Sequence, residues 1–460
     1  MLLGRSHTIR VPWSTLVATA LASVTVLIAV GVASATPGAQ LWAKRYNGPG
    51  DQEDYAQAVG VSPDGTKVFV TGYSIGSTSE RDYATVAYDA STGAKLWAKR
   101  YNGPGNYVDT AGAVEVSPDG SMAFVTGASY GIDTRADIAT IAYDTATGTA
   151  LWVKRFDGPR NRSDGASDLG VSPDGSTVFV TGASMRTNNN YVTLAYEATT
   201  GSRLWVKRYD GPANSSDVAH ALGVSSNGSK VFITGSSFGA GADFATLAYD
   251  ASTGEELWVS RYDGPSDSSD TANALDVSPD GSAVFVTGWS TPANNDYATV
   301  AYDASSGTKL WARLYDGPGN SGDQARDVGV SPDGSTVFVT GGSAGTTTST
   351  DFATIAYDAS SGSRRWLRRF DGTPHEGDEA TALGVSPNGS KVFVTGFSYE
   401  GGSPDYATVA YDAVEGTRLW AKRHNDPGGF AEALAVSPNG SAVFVTGEGG
   451  DDYTTVAYGA

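Results

Sequence analysis

Beyond residue 40 the chain alternates short apolar runs with polar turns at a fixed period. The phrase Leu41-Trp42-Ala43-Lys44-Arg45-Tyr46 returns at Leu96, Leu151, Leu204, Leu257, Leu310, Arg365 and Leu419, at spacings of 55, 55, 53, 53, 53, 55 and 54 residues. Each copy holds four β-like runs: Trp-x-Lys-Arg-Tyr, then one resembling 54–61, then 67–72, then 83–88. They are rich in Val, Thr and aromatic residues, which suit a pleated and half-buried surface. Ser62-Pro63-Asp64-Gly65 and Asp89-Ala90-Ser91-Thr92-Gly93, with their equivalents, supply Pro, Asp and Gly where tight turns need them. No 3.6-residue apolar period accompanies the high Gly content, so a repeated helix pair is excluded.

Four strands every 53 to 55 residues predict an all-β, eight-bladed propeller of four-stranded blades, with residues 36–460 forming a single domain. The small residues Ala56, Ala58 and Gly60 place the second run at the crowded axis, which makes the Leu-Trp strand outermost. The chain then begins with an outer strand and stops after a third one. Pairing the first strand with the C-terminal blade closes the ring. Lys or Arg at 44/45, 99/100, 154/155, 207/208, 368/369 and 422/423 falls on the outer edge, where charge discourages aggregation.

Composition narrows the chemistry. With 31 Lys and Arg against 50 Asp and Glu the chain carries −19, and it has no Cys and only 4 His. Disulfides, zinc-thiolate sites, iron–sulfur clusters and cysteine nucleophiles are excluded. An acidic chain without a basic block argues against nucleic acid as a partner. At the N-terminus Arg5 and Arg10 precede an apolar run from about Leu16 to Val32, and Ala33-Ser34-Ala35 offers small residues to a signal peptidase. Residues 1–35 therefore read as a signal peptide, leaving a secreted chain with no membrane insertion. The alternative is an uncleaved anchor, since roughly 17–19 apolar residues are about enough to span a bilayer.

The segment Ala87-Tyr88-Asp89-Ala90-Ser91-Thr92-Gly93-Ala94-Lys95-Leu96-Trp97 resembles the tryptophan-docking motif of eight-bladed quinoprotein-type (PQQ-like) propellers. It recurs with variation at 142–152, 195–205, 248–258, 301–311, 356–366 and 410–420, with departures at Glu197, Ser306, Ser361 and Glu415. The resemblance implies a structural girdle of Trp42, Trp97, Trp152, Trp205, Trp258, Trp311, Trp366 and Trp420, each packed on the neighbouring blade. Residues 61–72 are similar instead to the YVTN and SBBP classes of bacterial surface repeats. Quinoprotein dehydrogenases of this fold carry a vicinal cysteine pair, a calcium site and a catalytic Asp in nonrepeated insertions. This chain has no Cys and no insertion longer than a few residues, so the resemblance implies the noncatalytic members, with no PQQ expected. No Ser–His–Asp spacing, P-loop or HExxH occurs, and His220, His375 and His424 lie in different repeats.

Two constellations remain. Asp54, Asp109, Asp164, Asp217, Asp270, Asp323 and Asp378 occupy one repeat position ahead of the inner strand, broken by Gly429 in the eighth copy. A rim of carboxylates could hold Ca²⁺, which takes six to eight oxygens. Alternatively, each Asp satisfies backbone N–H groups of its own loop, as do Asp82, Asp137, Asp243, Asp296, Asp351, Asp405 and Asp452 ahead of the fourth run. The second constellation is what varies between blades. After each Thr-Gly the chain places Tyr73, Ala128, Ala183, Ser236, Trp289, Gly342, Phe397 or Glu448, and the following loops add Tyr130, Phe238 and Tyr399. The inner strand varies at Gln57, Gly112, Ser167, His220, Asn273, Arg326, Thr381 and Glu432. Tyr73, Tyr130, Phe238, Trp289, Phe397, Tyr399, His220 and Arg326 are thus the candidate ligand-binding residues, Trp289 foremost as the only Trp of 36–460 outside the girdle. The sequence reads as a secreted, monomeric, noncatalytic propeller that binds or scaffolds a glycan or protein ligand at the cell exterior. The alternative is a Ca²⁺-dependent lactonase or lyase using carboxylates at the channel mouth.

Overall fold

The computed structural model describes residues 36–460 apart from 133–134, 160, 240, 266, 268, 292–293, 347–348, 373–375 and 427. The segment read as a signal peptide, and His375, lie outside the described residues. Eight antiparallel four-stranded sheets make up the ring. In the first blade the strands run Asp54–Val61, Lys67–Ile75, Arg81–Asp89 and Lys95–Tyr101, from the axis outward. Blades two to seven repeat this order. The eighth takes Phe430–Val436, Ala442–Gly449 and Asp452–Gly459 from the C-terminus and its outer strand, Gln40–Tyr46, from the N-terminus. Trp42 pairs with Ala457 and Tyr46 with Tyr453, so the ring closes without a free seam.

The turns take the form their residues dictate. Gly65 N–H donates to the Ser62 carbonyl at 2.8 Å with φ at 71°, and Asp64 accepts from Thr66 N–H at 3.0 Å. The cores lie between blades. Phe179, Tyr191 and Trp205 of the third blade pack on Leu222, Val231, Ile233 and Leu247 of the fourth, and equivalent sets recur around the ring. Each such aliphatic side chain contributes about 1.5–3 kcal/mol on burial. Seven indole N–H groups reach the neighbouring blade's backbone, from Trp42 to the Ala90 carbonyl at 2.9 Å round to Trp366 and the Ala413 carbonyl at 3.0 Å. Gly93 must be glycine: its φ is 68°, and a Cβ would meet Trp42 at 2.7 Å.

Every inner strand has a bulge, at its fourth residue in blades one to seven and at its third in the shorter strand of the eighth, shown by register shifts such as Ala56/Ala58, Ala219/Ala221, Ala325/Asp327 and Ala431/Ala433. The bulged residue is the one that varies from blade to blade.

Candidate functional site

Each of the seven recurring aspartates is buried at the crossover from one blade's outer strand to the next blade's inner strand. Asp109 accepts from Gly103 N–H at 2.6 Å and Tyr130 N–H at 3.0 Å, and Asp323 from Gly317 N–H at 2.7 Å and Ala344 N–H at 3.0 Å. Asp54, Asp164, Asp217, Asp270 and Asp378 accept from Gly48, Gly158, Gly211, Gly264 and Gly372 in the same way. Burial raises the carboxyl pKa of all seven, and that of Asp378 reaches about 6. Among the described residues, no group of potential metal ligands contains two of them.

Four crossovers do gather carboxylates, from three different repeat positions. The groups are Asp137/Asp157/Asp164, Asp243/Asp263/Asp270, Asp296/Asp316/Asp323 and Asp351/Asp371/Asp378, each with one oxygen per residue inside 4.8 Å of the others. In three of them an outer-strand arginine neutralises the third-strand aspartate: Arg155–Asp137 at 2.7 Å, Arg261–Asp243 at 2.6 Å and Arg369–Asp351 at 2.7 Å. Arg155 and Arg369 were expected on the outer edge together with Lys154 and Arg368. Side chains alternate across a strand, so the second of each pair turns back into the crossover instead, where it also binds the Ser129, Ser237 or Ser343 carbonyl. The fifth blade departs from this pattern, with Leu314 at the arginine position. Burial, then Asp316 and Asp323, push the Asp296 carboxyl up to about 6. The third blade departs in the opposite sense: Arg208 remains and Asn190 replaces the aspartate.

The inner strands around the axis hold carboxylates that the sequence reading missed. Glu115, Asp168, Asp276 and Asp327 stand on inner strands of blades two, three, five and six, where other blades have Ala or Gly. Each accepts from a backbone N–H of the next inner strand: Val171 at 3.1 Å, Leu222, Val330 and Leu383 at 2.8 Å. Desolvation by burial outweighs these backbone hydrogen bonds and raises Glu115 to about 8, Asp168 to about 7, and Asp276 and Asp327 to about 6. The signal was available as an acid breaking a small-residue pattern. His220 and Arg326 sit at the bulge beside them. The His220 ring meets the Ala272 carbonyl at 2.7 Å, as Asn273 meets that of Ala325 at 2.7 Å, while Arg326 pairs with Glu379 at 2.6 Å. These variable residues therefore bridge adjacent blades. Burial lowers the pKa of His220.

The candidate aromatic residues divide into a cluster and isolated members. Phe397 packs on Tyr399 at 5.9 Å and on Phe430 of the eighth blade at 5.0 Å. Phe430 is in register with Glu448, and Glu448 acts electrostatically on both Tyr55 and Tyr73 of the first blade. Tyr55 and Tyr73 stack at 5.7 Å, with the Arg81 guanidinium 4.2 Å above Tyr73. Tyr73 is only 5% exposed and donates to Glu53, and Tyr55 donates to Glu432. Tyr130 instead meets Tyr107, which is 55% exposed, and Phe238 stands 41% exposed on the fourth blade. Trp289 is half-buried, and among the described residues no ring packs against it.

A family model described as outer membrane protein assembly factor BamB matches residues 28–186 and 188–446. The chain belongs to this family of PQQ-like β-propellers. BamB from Moraxella catarrhalis superposes with a TM-score of 0.54 at 15% identity, covering 92% of this chain and 99% of that one. Sqt1 from Chaetomium thermophilum gives 0.61 at 14%, covering 92% and 98%. The same protein bound to the N-terminus of the ribosomal protein L10 gives 0.60 at 14%, covering 89% and 98%. At such identities the BamB and Sqt1 structures are likenesses of fold. No curated protein matches the chain. Among the described residues no helix is long and apolar enough to cross a membrane.

Proposed function

We propose that this BamB-like propeller is an exported, noncatalytic scaffold that docks a protein through the sector formed by blades seven, eight and one. The observation that carries this reading is the run of Phe397, Tyr399, Phe430 and Tyr55, the last backed by buried Tyr73, interleaved with Glu53, Glu432 and Glu448. Aromatic anchors beside carboxylates suit a partner segment that presents Lys or Arg, held by charge-assisted hydrogen bonds and cation–π contact. The excess of Asp and Glu over Lys and Arg adds an attractive field for such a segment. That Sqt1 is a propeller solved with a peptide of another protein supports the protein reading over the glycan one.

A photo-crosslinking residue placed at 397 in the tagged full-length chain should capture a protein in cells, whereas one at 289 should capture far less. Phe430→Ser should reduce capture from 397 at least tenfold. Equal capture from both positions, or glycan binding unaffected by Phe430→Ser, would contradict the reading. Export is tested by sequencing the mature N-terminus, which should start at Thr36.

A further inference from the structure

We propose that the crossover between the fifth and sixth blades is a Ca²⁺ site whose protein ligands are Asp296, Asp316 and Asp323, opened by the replacement of the repeat's arginine with Leu314. This site is independent of the docking sector.

The argument begins from charge. Three crossovers carry three aspartates and a paired arginine, whereas this one carries three aspartates and a leucine that is 37% exposed. Asp296 is 8% exposed and, among the described residues, makes no hydrogen bond or ion pair. Three carboxylates with no cation beside them repel one another, and a bound cation or a proton relieves that repulsion. The spacing admits a cation here as it does at the other three crossovers, and the missing arginine is what singles this one out. Oxygens on opposite sides of one Ca²⁺, at roughly 2.3–2.6 Å from it, stand about 4.6–5.2 Å apart, and the three carboxylates present oxygens within 4.8 Å of one another. Mg²⁺ requires near-ideal octahedral oxygens at about 2.0–2.1 Å and gives up its water reluctantly.

The three ligands differ in freedom. Asp323 is fixed by Gly317 and Ala344 N–H, and its own N–H donates to the Asn295 carbonyl at 2.6 Å. Asp316 is exposed, so water can enter and complete the coordination of the ion. Asp296 then joins a preformed pair.

The test is thermal unfolding and isothermal titration of the full-length chain, first in chelator and then with millimolar CaCl₂ or MgCl₂. Wild type should bind one Ca²⁺ and gain several degrees in midpoint, with a smaller gain in MgCl₂. Asp296→Asn should lose the Ca²⁺ gain. Leu314→Arg should lose it too while melting in chelator no lower than wild type, which keeps the test decisive if Asp296→Asn folds poorly. A wild type indifferent to Ca²⁺ would overturn the proposal. So would a Ca²⁺ gain that persists in both variants, which would assign the ion elsewhere, with the inner-strand carboxylates first in line.

Discussion

The crossovers after the fourth and fifth blades hold the same three aspartates in the same places, Asp243/Asp263/Asp270 and Asp296/Asp316/Asp323. In the first, Arg261 binds Asp243 at 2.6 Å and the Ser237 carbonyl at 3.0 Å, and the charge is answered inside the repeat. In the second, Leu314 answers nothing. Within a repeat protein a recurring residue serves the ring, because every blade needs it. A departure that leaves charge or aromatic surface unanswered is where a ligand can act. The same contrast separates the tryptophan girdle from the ring cluster at Phe397 and Phe430, and the closely packed inner strands from those bearing Glu115 and Asp168.

Substitutions at recurring positions should cost most. Trp205→Ala removes a buried indole and its hydrogen bond to the Ala251 carbonyl, and should cost about 3–5 kcal/mol by urea midpoint; a loss equal to that of Trp289→Ala would erase the distinction between girdle and face. Arg261→Leu leaves Asp243 without its cation and should cost about 1–3 kcal/mol, the pair being only partly buried.

Two classes of acid should pull in opposite directions with pH. The turn aspartates Asp64 and Asp303 titrate near 2 because neighbouring hydroxyl and N–H groups bond the carboxylate. Their folded pKa is depressed, so the stability they add is present above about pH 4 and is lost as pH falls through 2. Glu115, Asp168, Asp276 and Asp327 have raised folded pKa values. Their contribution is full below about pH 4 and disappears as pH rises through 6 to 8. Thermal midpoints should therefore fall between pH 4 and 8, and Asp168→Asn should flatten that fall near pH 7; an unchanged profile would place Asp168 outside the titrating set. The smallest effect belongs to Trp289→Ala, which should shift stability by less than about 0.5 kcal/mol.

The fold was legible because its signals are local and repeated: a period, four apolar runs, Pro-Asp-Gly turns, and an odd outer strand at the N-terminus that pairs with Asp452–Gly459. The candidate site was legible only in pieces. Asp296 and Asp323 stood out as members of two separate series, but their meeting with Asp316 joins positions from two blades and depends on the crossover path. Arg155 and its equivalents read as edge charge because sequence does not say which side of an outer strand faces the crossover. The bulge in each inner strand re-aims one residue towards the next blade, so His220 and Arg326 became bridging groups. Trp289 drew attention by rarity, yet neighbours decide a surface, and the rings cluster on blades seven, eight and one.

The most direct measurement moves the departure from one blade to another. In the Leu314→Arg background, where Ca²⁺ should have no effect on the thermal midpoint, Arg261→Leu is added and the melt is repeated in chelator and in CaCl₂. A midpoint lowered in chelator and raised by Ca²⁺ would show that a missing arginine is what turns a structural crossover into a cation site. A double variant that melts identically with and without Ca²⁺ would contradict the account.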